Sequence, residues 1–191
     1  MRVLGVTTFC VVSFLFCMPV SAATCPDVNF PENIVVGKTD LVLNGIGLRK
    51  ATFLGIKVYV AGLYLPNKSK DAELILSSDQ SWRLLLHFVR DVDSDDIQEA
   101  LDEGFESATD GKVKAMQEDI DSINKLLPDL RDGDRLAFTH EVGKGVSVGY
   151  NNIAKGEVMG DHLAATMLAI WIGQEPPNED LKAGLLGSQC E

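Results

Sequence analysis

The stretch from Asp40 to Pro66, DLVLNGIGLRKATFLGIKVYVAGLYLP, constrains the fold more than any other part of the chain. It holds two strand-like runs on either side of a short break at 49–52. From Ile56 to Leu65 nearly every residue is β-branched, aromatic or small, the types that a pleated strand favours. Period-two counting puts Ile56, Val58, Val60, Gly62 and Tyr64 on one face and Lys57, Tyr59, Ala61, Leu63 and Leu65 on the other. Both faces are largely apolar, which predicts a central strand covered on both sides. Arg49 precedes this strand, and Lys57 and Tyr59 lie within it. A cation among apolar strands needs an anionic or hydrogen-bonding partner, because a bare buried charge is too costly.

The first residues read as a leader. Met1-Arg2 is followed by a nearly unbroken apolar run from Val3 to Phe16, then by Pro19-Val20-Ser21-Ala22-Ala23. This is the pattern of a secretory signal peptide over 1–23, with cleavage after Ala22 or Ala23. The alternative, a retained anchor, fits less well, since the run is shorter than the ~20 residues of a spanning helix. A lipoprotein site at Cys25 lacks the usual large aliphatic residue before it. Cleavage after Ala23 leaves 168 of the 191 residues, 24–191, which suits one domain with a full core. The expected location is periplasmic or secreted.

The net charge is −11, and losing Arg2 makes it −12. So acidic a surface argues against nucleic acid and anionic membrane as partners. Cys10 and Cys17 leave with the leader, so Cys25 and Cys190 remain, one at each end. In an oxidising compartment two expectations stand side by side: a disulfide joining the termini, or two thiols at frayed ends.

Taken in order, Pro26 to Gly37 reads as an extended lead-in. Thr39 to Leu48, with Asn44-Gly45 and Gly47, predicts a bent strand or a hairpin turn. One or two helical turns fit Asp71 to Ser77, and a strand fits Trp82 to Val89. Ser94 then reads as a helix cap before a stripe of Ile97, Leu101, Phe105 and Ala108. Val113, Met116, Ile120, Ile123 and Leu127 form a second stripe, stopped by Pro128. A β-meander follows over Arg135–Val142, Val146–Tyr150 and Ile153–Val158, with tight-turn residues between the runs. Asp161 is expected to cap a helix from His162 to Ile172, and Asn178 a last one from Glu179 to Leu186. This order predicts an α+β domain, an antiparallel sheet with helices mostly on one face. An apolar site could form between the layers.

Several chemistries lack their residues. His87, His140 and His162 are far apart, with no metal-ligand spacing, so no metal and no cofactor is expected. There is no nucleophile elbow and no P-loop. The acidic run from Asp91 to Glu106 reads as a solvated helix face. That leaves Arg49, Tyr59 and Lys57. In the ordinary reading Arg49 pairs with a nearby acid and Tyr59 is a core aromatic. In the functional one Arg49 forks onto a carboxylate or oxyanion, with Tyr59 and Lys57 assisting.

Asn44-Gly-Ile-Gly-Leu-Arg49-Lys, Phe53 and Lys57-Val-Tyr59-Val-Ala-Gly62-Leu-Tyr64-Leu-Pro66 resemble the bacterial secreted chalcone-isomerase-like proteins. Ile170-Trp-Ile-Gly173, Pro176 and Asp180-Leu-Lys-Ala-Gly-Leu-Leu-Gly187 are also similar, so the resemblance runs from about Ile34 to Gly187. It implies an open-faced β-sandwich, an antiparallel sheet with helices on one face and a ligand cleft between. In plant chalcone isomerases and plastid fatty-acid-binding proteins an arginine matching Arg49 faces the ligand. The enzyme's other polar groups, a threonine, a tyrosine, an asparagine and a Ser/Thr, match Tyr59, Ile97, Gly104 and Ile170 here. The resemblance thus keeps the arginine and loses most of the catalytic set. The expectation is a non-catalytic binder of a small amphipathic acid, fatty-acid-like, held by Arg49, Tyr59 and Lys57. The alternatives are an isomerase or lyase working through an enolate or phenolate, with Arg49 and Tyr59 catalytic, and an envelope interaction protein without a ligand.

Overall fold

Seven strands form one antiparallel sheet in which each strand pairs with the next in sequence. The computed structural model describes residues 23–25, 28–51, 54–160, 162–188 and 190. A two-stranded ribbon comes first, β1 (Ala23–Cys25) and β2 (Val28–Phe30). The sheet strands are β3 (Asn33–Val36), β4 (Thr39–Ala51), β5 (Ile56–Leu65), β6 (Trp82–Phe88), β7 (Arg135–His140), β8 (Val146–Tyr150) and β9 (Ile153–Val158). The helices are α1 (Ala72–Ser77), α2 (Ser94–Ala108), α3 (Gln117–Asn124), α4 (Leu163–Ile172) and α5 (Glu179–Leu185), with a 3₁₀ turn at Val113–Met116. Among the described residues no helix is long and apolar enough to cross a membrane. The leader expected over 1–23 lies outside the described residues except for Ala23.

The two apolar faces expected of β5 feed two separate cores. Ala61, Leu63 and Leu65 join Leu84, Leu86 and Phe138 under the stripes of α2, α3, α4 and α5. Val60 and Tyr64 join Leu41, Leu43, Ile46 and Leu48 on the other face, beneath Val28 and Phe30 of the ribbon. Each buried Leu or Phe stabilises the fold by about 1.5–3 kcal/mol relative to an exposed one.

β4 is a single bent strand with no hairpin at Asn44-Gly45. A bulge between Leu43 and Gly45 leaves Asn44 without a register partner. Such an extra residue shifts the alternation by one. Leu41, Leu43, Ile46 and Leu48 therefore all reach the ribbon-side core, while Gly45, Gly47 and Arg49 pair with residues of the helix side. Asn44 is buried, and its side chain bonds to Ser69 O at 2.9 Å and Leu185 O at 2.8 Å and accepts from Ser69 N at 2.7 Å. α5 lies directly on the β4 backbone. A Cβ at Gly45 would collide with the Gly184 and Leu185 carbonyls, and one at Gly47 with Leu181. Only glycines allow so close an approach of helix to strand.

Other local expectations shift slightly. β4 continues through Ala51, across most of the break foreseen at 49–52. Ser94 is the first residue of α2 and Asp93 the cap, because the Asp129 carboxylate takes the Ser94 N–H at 2.9 Å. That bond and its companions hold the Asp129 carboxyl below its ordinary pKa. The strand foreseen to Val142 ends at His140, and the last helix ends at Leu185. Asp161 lies outside the described residues; His162 occupies the α4 cap position in the left-handed region, φ 65°.

Candidate functional site

Arg49 and Tyr59 are direct cross-strand partners on β4 and β5. The Asn44 bulge sets the parity of Arg49, and residues directly opposite share a face, so both side chains belong to the helix side. A second register shift, at Arg49/Lys50, leaves Val58 as the extra residue of β5. The strict alternation expected for β5 therefore breaks here. Val58 and Tyr59 both pack against the helix-side core and line the same cavity. Lys57 falls beyond the bulge, exposed and opposite Lys50, and does not line the cavity. The expectation that Lys57 assists ligand binding is corrected on this ground: it rested on an alternation that the bulge interrupts.

The cavity has a volume of about 570 Å³ and lies between the sheet and helices α2 and α4. Its walls are mostly apolar, with Leu86, Phe88, Leu136 and Phe138 from the sheet and Ile97, Leu101 and Ile170 from the helices. Gly104 of α2 lets Ile170 of α4 pack tightly against it, since a Cβ there would meet Ile170 Cγ2 at 2.6 Å. The positions that the resemblance aligned with enzyme polar groups, Tyr59, Ile97, Gly104 and Ile170, all line this cavity. Three of the four carry no polar side-chain atom. Asp91, Asp96, Glu103, Glu175 and Arg90 also line it; all but Glu175 come from the β6–α2 loop and the polar face of α2.

Arg49 is partly buried. Its Nη1 donates to Lys50 O at 2.7 Å, Pro177 O at 3.0 Å and Asn178 Oδ1 at 3.0 Å. Among the described residues no carboxylate lies within ion-pairing distance of Arg49, and neither Nε nor Nη2 has an acceptor. The ordinary reading, an arginine paired to a local acid, is therefore not the arrangement found. Three neutral oxygens fix one corner of the guanidinium and leave it without an ion pair among the described residues. Lys182 Nζ donates to Gly173 O at 2.6 Å, tying α5 to the end of α4 and so fixing the 176–178 segment behind Arg49.

Tyr59 packs against Phe88 with ring centroids 5.4 Å apart. Its hydroxyl accepts from Trp171 Nε1 at 2.9 Å. Burial raises its pKa, opposed in part by the Trp171 bond and by the Arg49 charge. The phenol is thus neutral near pH 7 and keeps a proton to donate. A fixed cation and a neutral O–H donor under apolar walls can together hold an oxyanion with a hydrocarbon tail.

Sequence reasoning picked Arg49 and Tyr59 and missed Trp171, Pro177 and Asn178 as their partners. Trp171 lies within the helix foreseen from His162 to Ile172. Its indole N–H was a usable signal, since a buried Trp donor nearly always finds an acceptor. Asn178 was expected to cap α5; it stands at the cap position but makes no cap bond, because its Oδ1 is engaged by Arg49 and Lys50. His87 is a strand residue whose Nδ1 accepts from Arg135 Nε at 3.4 Å. No cluster of His, Cys, Asp or Glu suited to a metal occurs among the described residues. Cys190 is disulfide-bonded and packs beside the ribbon-side core. The expected partner, Cys25, has a side chain outside the described residues.

The architecture is shared with a solved plant protein. The crystal structure of the Arabidopsis thaliana fatty-acid binding protein AtFAP1 matches with a TM-score of 0.70 at 20% sequence identity, covering 87% of this chain and 96% of that one. No curated protein matches the chain by sequence. A family model described as chalcone isomerase-like matches residues 22–187, which takes in the sheet, the helices and every residue of the cavity. By that match, the chain belongs to the chalcone isomerase-like family.

Proposed function

We propose that the protein is a non-catalytic binder of a small amphipathic acid, fatty-acid-like, held in the cavity between sheet and helices. The observation that carries this reading is Arg49: a partly buried guanidinium lining a mostly apolar cavity, with no carboxylate within ion-pairing distance and no acceptor on Nε or Nη2 among the described residues. A ligand carboxylate would take those two nitrogens as a bidentate pair, and Tyr59 would donate a further hydrogen bond. The tail would lie along Leu86, Phe88, Leu101, Phe138 and Ile170. The acidic side chains among the lining residues repel small hydrophilic anions, so selection falls on anions whose tail supplies most of the binding energy. The neighbour AtFAP1, a fatty-acid binding protein, supports the ligand class. Ile97, Gly104 and Ile170 offer nothing to order a water or polarise a carbonyl, which supports binding over ring closure. The leader over 1–23 would deliver the domain 24–191 to the periplasm or the exterior, where the Cys190 bridge persists.

The test is direct. The mature protein is purified from its host, extracted, and the extract searched for carboxylic acids by mass spectrometry. Dodecanoate is then titrated into wild type and Arg49→Ala. A bound acid, and an affinity that drops in the variant, are expected. An empty extract together with identical titrations would falsify the proposal, and turnover of a chalcone abolished by Arg49→Ala would replace it with the enzymatic alternative.

A further inference from the structure

We infer that Asn178 is a positioning residue that fixes the Arg49 guanidinium without neutralising it. The inference rests on the reading of Arg49 as the headgroup anchor. Asn178 stands at the N-cap of α5 with extended backbone, φ −154° and ψ 134°. An Asn at that position normally accepts a hydrogen bond from a backbone N–H of the first turn. Here no such bond exists. Its Oδ1 turns to β4 and accepts from Arg49 Nη1 and from Lys50 N, each at 3.0 Å. The helix therefore forgoes its side-chain cap, and the bonds gained join the cationic end of β4 to a segment 128 and 129 residues away. A local rule broken in favour of a functional side chain marks a site where position outweighs helix stability.

The neutrality of the clamp is its second property. All three acceptors of Nη1 are uncharged: the Lys50 and Pro177 carbonyls and the Asn178 amide. An aspartate at this place has the same shape, could accept the same two bonds, and is an equally good cap that the helix dipole favours further. It would also pair with Arg49 and occupy its charge. On stability alone aspartate is the better residue. Asparagine is better only if the charge of Arg49 is kept for something else.

Asn178→Asp and Asn178→Ala are compared with wild type and Arg49→Ala in the full mature protein. The probes are dodecanoate and, as an uncharged control, 1-dodecanol. Asn178→Asp is expected to melt no lower than wild type, to bind dodecanoate at least tenfold more weakly, and to bind 1-dodecanol unchanged. Asn178→Ala is expected to weaken dodecanoate several-fold. A merely structural role for Asn178 would move both probes together, or neither, and that result overturns the inference. If Asn178→Asp binds dodecanoate like wild type while Arg49→Ala does not, the clamp is refuted and the anchor stands. If Arg49→Ala also binds like wild type, the anchor is refuted and the clamp with it. The ¹⁵N spectrum of the Arg49 guanidinium gives a readout without ligand. Slow Nη rotation in wild type, lost in Asn178→Ala, is expected; equally free rotation in both sinks the clamp.

Discussion

Tyr59 and Tyr64 stand on the same strand, five residues apart, and face opposite layers. Tyr64 is wholly buried on the ribbon side, and its hydroxyl donates to Pro31 O at 3.0 Å. Burial pushes its pKa up to about 12. Tyr59 also has a raised pKa, yet its hydroxyl is the acceptor, from Trp171, and it lines a cavity. One tyrosine uses its proton inside the protein and the other holds it ready. The same contrast separates the two sides of the sheet. The ribbon side is a smaller core in which Phe30 packs so closely on β5 that a Cβ at Gly62 would meet its ring at 2.7 Å. The helix side holds a larger core that opens into about 570 Å³ beside an arginine with no ion pair among the described residues. Burial is thus common to both sides, and what distinguishes the candidate site is hydrogen-bonding capacity left over.

The largest effect that would break this contrast comes from the ribbon side. Phe30→Ala should cost about 3–5 kcal/mol of stability by opening a cavity while leaving dodecanoate affinity unchanged. Urea melts and titrations of the same preparation check both parts, and a change in affinity would join the two sides into one unit. Next, Arg49→Ala should cost about 1.5–3 kcal/mol of binding, roughly 13- to 160-fold, as expected for charge-assisted hydrogen bonds. Its stability should stay within about 1 kcal/mol, since the acceptors it leaves are part-buried and reach water. A large loss of stability with intact binding would make Arg49 a structural residue.

The two tyrosines then give a reciprocal pair. Tyr64→Phe should destabilise by about 1–3 kcal/mol, stranding the Pro31 carbonyl, with no effect on affinity. Tyr59→Phe should weaken dodecanoate by about 0.5–1.5 kcal/mol, roughly 2- to 13-fold. Swapped outcomes would invert the assignment of roles. The smallest effect is one of pH. Tyr64 has a folded pKa above the 10.0 of an ordinary tyrosine, so the unfolded chain loses that proton first. Its contribution is fully present below pH 10 and is lost as pH rises through about 12. Melting temperatures between these limits should fall less steeply for Tyr64→Phe than for wild type, and parallel slopes would argue that the phenol is not desolvated.

What could be read from the sequence was whatever repeats at a fixed period. The two faces of β5, the α2 stripe of Ile97, Leu101 and Phe105, and the meander from β7 to β9 all follow from spacing alone. The glycines at 45, 47 and 184 were visible as a motif, and the structure supplies their reason in the contact of α5 with the β4 backbone. Arg49 and Tyr59 stood out because their types were wrong for their surroundings. The bulges at Asn44 and Val58 leave no comparable trace, since one extra residue has no period, and the second of them misdirected Lys57. Asn178 was legible as a cap and illegible as a clamp, because nothing local announces a partner 129 residues away. Asp129 at the start of α2 is the same case, a distant carboxylate doing what the adjacent Ser94 was expected to do.

The extra residue at Asn44 has an evolutionary corollary. Point changes along β4 alter one side chain at a time and can drift freely wherever space allows. Deleting the Asn44 codon would remove the bulge and leave Leu43 opposite Tyr64 and Gly45 opposite Leu63 as consecutive pairs, so the leucines would keep the ribbon side and the guanidinium the helix side. What such a loss would remove is the tie that the Asn44 side chain makes from β4 to Ser69 and Leu185, so the extra residue serves as a mooring for the neighbouring segments and not as the switch that sets the strand's faces.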